Sequence, residues 1–401
     1  MIVVGAGPAG STTARILSGK GLNVLLLDKS VFPRRKACAG GLCYHILELP
    51  EIERIIQREG LVKSVCRSTT TISPSSRYEY TYVSPQPLFY NVFREEFDTR
   101  LVELACDNGA DFRGKTRVSR VSVGSRNVEL LLRGGETVKG GVLVVADGAN
   151  GFVGNMIRWR LGVWREWRRN LGLAVEDEIY VGEEFIEDVY GVDRRSIINL
   201  RWSGLHGYSW VFPRRDTVNI GFGGEAREMK SIDIRGVFNS YLGYLRGRGL
   251  LPRGVSINRL HGGFLPSGGP ISRFFDDRVL LVGDAAGFVS PLSGEGIYYA
   301  IDSGRIASNV IISAFKEDRF DSSFLRIYQR ECMRSWGEEL RFLRIYRDIL
   351  MWFPELTQRF AERDSLLREY YVKVFNGSIS IRDATLGILK HLLKGILMPG
   401  L

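Results

Sequence analysis

The chain has 401 residues, 44% of them apolar and 25% charged. That allows two or three domains with real cores and excludes disordered and fibrous classes. No apolar run reaches the roughly 18 to 20 residues of a spanning helix, and Met1-Ile2-Val3-Val4 runs straight into glycines without a basic and apolar leader. A cytoplasmic protein is expected, with peripheral contact on the inner face of the cell membrane. The formal charge is +10, and 11 of the 55 basic residues are lysine. Such an excess favours an anionic partner, with an arginine-rich surface bias as the plainer alternative. The five cysteines (38, 43, 66, 106 and 332) and four histidines (45, 206, 261 and 391) show neither a paired C-x-x-C nor zinc spacing. No metal, no disulfide framework and a reducing compartment are therefore expected.

In chain order, residues 2–4 read as a strand, Gly5 to Gly10 as a tight turn, 8–20 as a helix and 23–27 as a second strand ending at Asp28. A basic, glycine-containing loop follows at 29–43. Strands are expected at 62–73, 78–83, 117–123, 127–132 and 142–146, with an amphipathic helix at 94–107. From about 170 to 265 aromatic-rich strands dominate (197–202, 208–212 and 218–223), with one helix near 231–247. The buried strand 279–284 and a helix at 295–316 return to the first pattern, and 322–398 is mostly helical. The expected domains are 1–165 with 262–316, carrying the small β segments at 62–83, then a β-rich substrate domain at 166–261 and a helical region at 317–401. Only four residues precede Gly5, short for a central strand, where about five or six are usual. A few further residues upstream are expected.

Gly5-Ala6-Gly7-Pro8-Ala9-Gly10 fits G-x-G-x-x-G. Gly5 permits the turn, Gly7 lets a pyrophosphate approach the backbone, and Gly10 lets helix and strand pack closely. Asp28 stands where ribose hydroxyls would be bound. A second strand-turn-helix, Gly283-Asp284-Ala285-Ala286-Gly287 followed by Gly294-Glu295-Gly296-Ile297, places a carboxylate and a helix N-terminus where a ribityl chain and a flavin carbonyl could bind. This segment, with Val92–Leu101 and Val145-Ala146-Asp147-Gly148, resembles the fingerprints of the FAD-dependent aromatic-hydroxylase-like flavoproteins. The fold implied is α/β: a Rossmann-type FAD-binding domain with an inserted antiparallel β-rich domain and a helical C-terminal tail.

Lys36-Ala37-Cys38-Ala39-Gly40-Gly41-Leu42 and the Y-x-W-x-F-P string Tyr208 to Pro213 narrow this. Together with the FAD motifs they resemble the geranylgeranyl reductase family, and within it the archaeal digeranylgeranylglycerophospholipid reductases. The resemblance covers residues 1 to about 315 well and the tail loosely. It implies FAD contacts at Ala9, Asp28, Cys38, Ala39, Gly41, Arg94, Val118, Asp284, Gly296 and Ile297, with Arg94 reaching the pyrophosphate. It also implies a prenyl channel walled by Tyr208, Trp210 and Phe212. Two departures are alanine at position 39, where the family often has glycine, and aspartate rather than glutamate at position 28.

The implied activity is saturation of C=C bonds in geranylgeranyl chains of ether-lipid precursors, a step of membrane lipid biosynthesis. The flavin would supply hydride to one alkene carbon while a proton adds to the other, with Cys38 and Tyr208 as candidate donors. Without a second G-x-G-x-x-G, electrons are expected from an external donor: NAD(P)H, reduced deazaflavin or ferredoxin. Rival readings are a flavin monooxygenase or halogenase on the same fold and a redox-inactive, FAD-stabilised prenyl-lipid carrier. Tyr208, Trp210 and Phe212 alternate with period two and could equally be core, and Cys38 could be a small buried hydrophobe. Residues 156–170, with five arginines and three tryptophans, are expected to touch an anionic membrane through Arg165, Arg168 and Arg169, and no nucleic-acid module accompanies them. The tail 379–398, with Arg382, Lys390 and Lys394, is a second such candidate.

Overall fold

The computed structural model describes residues 1–58, 60–257 and 259–397, with side chains described up to 56, from 60 to 257 and from 259 to 391. The chain divides into two compact units. One combines residues 1–36, 93–171 and 264–344; the other combines 37–92, 172–263 and the chain from 345 onward.

The first unit is built on a six-stranded sheet in the order Phe275–Asp276, Val279–Leu281, Leu143–Val145, Ile2–Val4, Leu25–Leu27, Asp111–Arg113. Ile2–Val4 pairs in parallel with both Leu143–Val145 and Leu25–Leu27. Only the Phe275–Asp276 edge strand is antiparallel to its neighbour. The central strands are buried on both faces, which is why they read as unbroken apolar runs rather than alternating ones. The helix Pro8–Ser18 packs on Arg94–Asp107 and on Ile297–Glu317. A Cβ on Gly304 would stand 2.7 Å from the Ala9 carbonyl oxygen, so glycine there lets the two helix backbones approach. A three-stranded antiparallel sheet, Val118–Val123, Val128–Leu132 and Thr137–Gly140, completes the β content.

The second unit is dominated by a seven-stranded sheet in the order His261–Pro266, Leu171–Tyr180, Thr217–Glu225, Tyr208–Pro213, Ser196–Leu200, Ser68–Ile72, Glu79–Val83. One face, through Val211, Ile220 and Phe222, buries Phe238, Tyr241, Leu242 and Leu245 of the helix Ile234–Gly247. On the opposite face Ile198, Leu200, Trp210 and Phe212 pack with Met351. Gly41–Cys43, Phe89–Val92 and Val62–Cys66 form a small antiparallel sheet.

The expected domain limits differ from these units in two places. The β segments at 62–83 sit with the second unit, because Thr69–Ile72 pairs in parallel with Ser196–Asn199; the inserted sheet is therefore mixed, not wholly antiparallel. The region 317–401 is not a separate body. Its first part belongs to the first unit, where Phe324, Leu325, Tyr328 and Trp336 are buried, the Tyr328 hydroxyl donates to the Leu281 carbonyl at 2.9 Å, and the Trp336 indole donates to Asp302 at 2.9 Å. No described helix is long and apolar enough to cross a membrane.

Candidate functional site

In the first unit the dinucleotide turn is held by contacts that leave no room for side chains. Gly5 has φ +102°, and a Cβ on Gly10 would lie 1.8 Å from the Gly5 carbonyl oxygen. The helix Pro8–Ser18 opens at Gly7 without a side-chain cap, so its first N–H groups remain for an anion. Ala9 lies in its buried first turn. Asp28 is buried at the end of the second strand and accepts from the Ala6 N–H and the Ser30 N–H, both at 2.8 Å. Its carboxylate is thereby anchored to the turn.

Arg94 is the first residue of its helix and is buried. Its guanidinium makes a two-pronged contact with Asp98, 2.8 Å on each side. Arg34 also pairs with Asp98, at 3.1 Å, and its Nη2 lies 3.6 Å from where a Cβ on Gly7 would stand. Beside Gly7 the structure thus places Arg34, with Asp98 tying both arginines together. In the sequence Arg34 is one of several basic residues of the 29–43 loop, and nothing in its spacing singles it out. Val118 is buried and opens its strand opposite Leu132.

Asp284 sits in the short helical turn Gly283–Ala286, partly exposed, 3.7 Å from the Lys36 ammonium. Gly296 ends the connection into the helix Ile297–Glu317 without a side-chain cap, and a Cβ there would be 3.2 Å from Asp284 Oδ1. The turn is buttressed by Arg158, fully buried, which donates to the Ala285 carbonyl at 2.7 Å and to Asn155 at 2.6 Å. Its guanidinium lies 4.0 Å from the Trp167 ring. Burial pushes Arg158 down to about 10, and burial likewise raises Asp147, whose carboxylate accepts from the N–H groups of Val153 and Gly154. The segment 156–170 is therefore not wholly a surface feature: Arg158 and Trp167 are core, whereas Arg165, Arg168 and Arg169 are exposed.

The remaining candidates lie in the second unit. Cys38 is half-buried and its sulfur accepts from the Gly40 N–H at 3.4 Å. Gly40 has φ +73°, and a Cβ on it would stand 2.2 Å from the Val92 carbonyl oxygen. Gly41 faces the Phe212 ring, 3.1 Å from a Cβ placed there. The loop is held from below by Arg214, buried, which donates to the Ala39 carbonyl at 2.8 Å and the Val92 carbonyl at 3.2 Å and pairs with Glu178. The Asn219 amide donates to Glu178 at 3.0 Å and to Glu176 at 2.8 Å, while its carbonyl accepts the Trp210 indole N–H at 2.8 Å. A continuous polar chain thus joins the indole of Trp210 to the backbone of the Cys38–Gly41 loop. Arg214, Asn219, Glu176 and Glu178 went unremarked as functional residues, and nothing in their sequence spacing signals the chain.

Tyr208, Trp210 and Phe212 share one face as the alternation predicts, with Tyr208 edge-on to Trp210 (5.9 Å) and to Phe375 (5.7 Å), and Phe212 stacked on Phe89 (5.4 Å). Burial pushes the Tyr208 phenol well above the usual tyrosine range, with the thiols of Cys43 and Cys38 adding to the rise. The phenol therefore stays protonated at neutral pH and has two thiols in its surroundings. Cys43, buried on the strand Gly41–Cys43, is a neighbour the sequence reading did not single out.

These features fit FAD. The first unit has two uncapped helix N-termini, each opening from a glycine near a carboxylate, and an arginine beside Gly7. A family model described as an FAD binding domain matches residues 1–169. An uncharacterized protein of Methanosarcina barkeri is 34% identical, covering 83% of this chain and 80% of its own. The menaquinone reductase of Mycolicibacterium smegmatis is 30% identical over 96% of this chain and 93% of its own. Digeranylgeranylglycerophospholipid reductase 2 of Methanopyrus kandleri is 27% identical over 98% and 99%. Among solved structures, a geranylgeranyl bacteriochlorophyll reductase-like protein from Thermoplasma acidophilum superposes with TM-score 0.78 at 22% identity, covering 96% of this chain and 94% of that one. A point mutant of the halogenase PltM, solved with FAD, gives TM-score 0.67 at 18% identity, covering 94% and 85%. The fold is that of the aromatic-hydroxylase-like FAD-binding proteins, FAD is the cofactor, and the chemistry is that of an oxidoreductase. The chain belongs to the geranylgeranyl reductase family of FAD-dependent oxidoreductases.

Proposed function

We propose that this protein saturates C=C bonds in the geranylgeranyl chains of archaeal-type ether-lipid precursors, the digeranylgeranylglycerophospholipids. The observation that carries the reading is the apolar face of Tyr208, Trp210 and Phe212, continued by Ile198 and Leu200, within which burial keeps the Tyr208 phenol protonated. An isolated alkene offers no polar group to bind, so a site for it needs apolar walls and a proton source held out of water. When bound, FAD supplies the hydride. Tyr208 delivers the proton to the other alkene carbon, and Cys38 and Cys43 are the groups able to return it. Arg214 holds the Ala39 carbonyl and so fixes the loop that the resemblance assigns to the flavin. Each bond saturated takes up one hydride and one proton, two electrons and two protons in all, and the electrons come from an external donor of the nicotinamide, deazaflavin or ferredoxin class. The name of the Methanopyrus protein supports this substrate.

A second reading is favoured by one observation, the menaquinone reductase at 30% identity over nearly the whole chain. Menaquinone also carries a polyprenyl chain, so the same apolar face would serve it. The test is anaerobic: the protein is reduced with dithionite and incubated with digeranylgeranylglyceryl phosphate or, in parallel, with menaquinone. Mass gains of two hydrogens per double bond in the ether lipid are expected. Gain only in the menaquinone arm, persisting after air reoxidises the quinol ring and so lying in the side chain, transfers the activity to the quinone. Neither gain, with product forming only when oxygen is admitted, returns the protein to the monooxygenase reading.

A further inference from the structure

From Ile345 onward the second unit carries an apolar surface that is exposed among the described residues. In the helix Glu338–Trp352 the buried side is formed by Leu340, Leu343 and Met351, whereas Ile345, Ile349 and Trp352, spaced four and three apart, face outward. The Phe353 N–H bonds the Ile349 carbonyl at 3.0 Å and closes this helix, and the next, Pro354–Arg363, begins at the following residue. There Pro354, Gln358 and Ala361 point inward and Leu356 and Phe360 outward. Trp352 is 66% exposed, Phe353 55% and Phe360 50%. Both helices are thus apolar on two sides, and a helix that needed only to pack on its own core would keep the outer side polar.

The charges around this stripe are one-sided. Arg344, Arg359 and Arg363 are exposed, and among the described residues none of them forms an ion pair with a carboxylate. The nearby acids are engaged elsewhere: Glu355 accepts from the Ser75 N–H at 2.7 Å and hydroxyl at 2.9 Å, Glu362 accepts from the Glu79 N–H at 3.2 Å, and Asp348 pairs with Arg347 at 2.6 Å. Outward aromatic and aliphatic side chains among unpaired arginines suit an interface where rings sit at headgroup depth and guanidinium groups meet phosphate.

We propose that the outer face of 345–363 docks the protein on an anionic phospholipid surface. This names the lipid contact for the function proposed above and stands apart from the 156–170 segment, where Arg165, Arg168 and Arg169 are exposed beside the buried Arg158 and Trp167. It requires no substrate, so it is tested with the holoprotein and vesicles of phosphatidylcholine and phosphatidylglycerol, by sedimentation at low and high salt. Binding at low salt, weakened by salt, is expected for the wild type. Trp352→Glu with Phe360→Glu, and separately Arg359→Glu with Arg363→Glu, should each lower the partition coefficient about tenfold or more, with FAD content retained. The milder Trp352→Ser serves if the glutamate pair lowers FAD content. Arg168→Glu with Arg169→Glu should leave binding unchanged. Unaltered binding in both face variants, or loss only in the 168/169 variant, overturns the proposal. So does a wild-type dimer that binds no vesicles and that Trp352→Ser converts to monomer, for then the face is covered by a second copy. Turnover of detergent-dispersed ether lipid is read in the same samples; its absence alongside normal vesicle binding faults the proposed function and leaves the docking face standing.

Discussion

The indole of Trp210 lies across Gly221, its cross-strand partner in the central pair of the second unit: a Cβ on Gly221 would stand 2.2 Å from the indole Cζ2 and 2.6 Å from the Val175 carbonyl oxygen. Glycine at 221 therefore creates the space in which the ring can lie flat enough for its N–H to reach Asn219. The relationship couples the apolar face to the polar chain beneath the Cys38–Gly41 loop.

Gly221→Ala should destabilise the protein by about 1–3 kcal/mol through overpacking, and Trp210→Phe, which removes the clashing ring, should recover part of that loss in the double variant. Denaturant titration of the four-member cycle reads the coupling. Strict additivity would mean that ring and glycine do not compete for space.

Asp284→Ala removes the carboxylate beside the uncapped Ile297–Glu317 helix. FAD affinity should fall by about 10- to 100-fold, the range for losing a hydrogen bond to a charged group, while the apoprotein remains folded. Equilibrium dialysis checks the affinity, and the rise in Tm on adding FAD should shrink accordingly. An unchanged Kd would remove Asp284 from the cofactor site.

Arg214→Ala leaves Glu178 and the carbonyls of Ala39 and Val92 without their shared donor. A loss of about 3–5 kcal/mol is expected, as for breaking one side of a buried ion pair. Arg214→Lys should recover only part of it, because one ammonium lacks the planar fork. Limited proteolysis at the 36–42 loop provides a readout that general destabilisation alone would not concentrate there.

Tyr208→Phe keeps the ring and removes the proton. Turnover should drop about 10²- to 10⁴-fold with FAD content unchanged, the usual effect of losing a general acid. Retained turnover would move the proton to a thiol, which Cys43→Ala and Cys38→Ala then separate.

Several phenols are held protonated by burial: Tyr80 is pushed up to about 12, and those of Tyr190, Tyr208 and Tyr241 are raised further. A raised folded value means stability is fully present below the unfolded tyrosine value of about 10 and is lost as pH climbs toward the folded values. Unfolding free energy should hold level up to about pH 9 and decline steeply above pH 10. Phenolate absorbance should not reach its full value before unfolding; complete ionisation of the 16 tyrosines in an intact fold would show these four rings to be exposed.

What the sequence by itself determined are the features whose causes are local. The dinucleotide turn is legible because Gly10 must clear the Gly5 carbonyl only five residues away, at 1.8 Å from any Cβ. The shared face of Tyr208, Trp210 and Phe212 is legible because the strand repeat is two. Tertiary structure alone decided the rest. The parallel pairing of Thr69–Ile72 with Ser196–Asn199 assigns the 62–83 segments to the second unit, across more than a hundred residues of intervening chain. Arg158 and Trp167 look like surface residues within an arginine-rich run, yet both are buried, because a guanidinium can satisfy the Ala285 carbonyl while its flat face stacks on the indole. Arg34, Arg214 and Gly221 have no sequence signature for the same reason. Their roles are set by a partner brought near by the packing of sheets and helices, and residue type reports charge and size but not the distance to a distant carbonyl or ring.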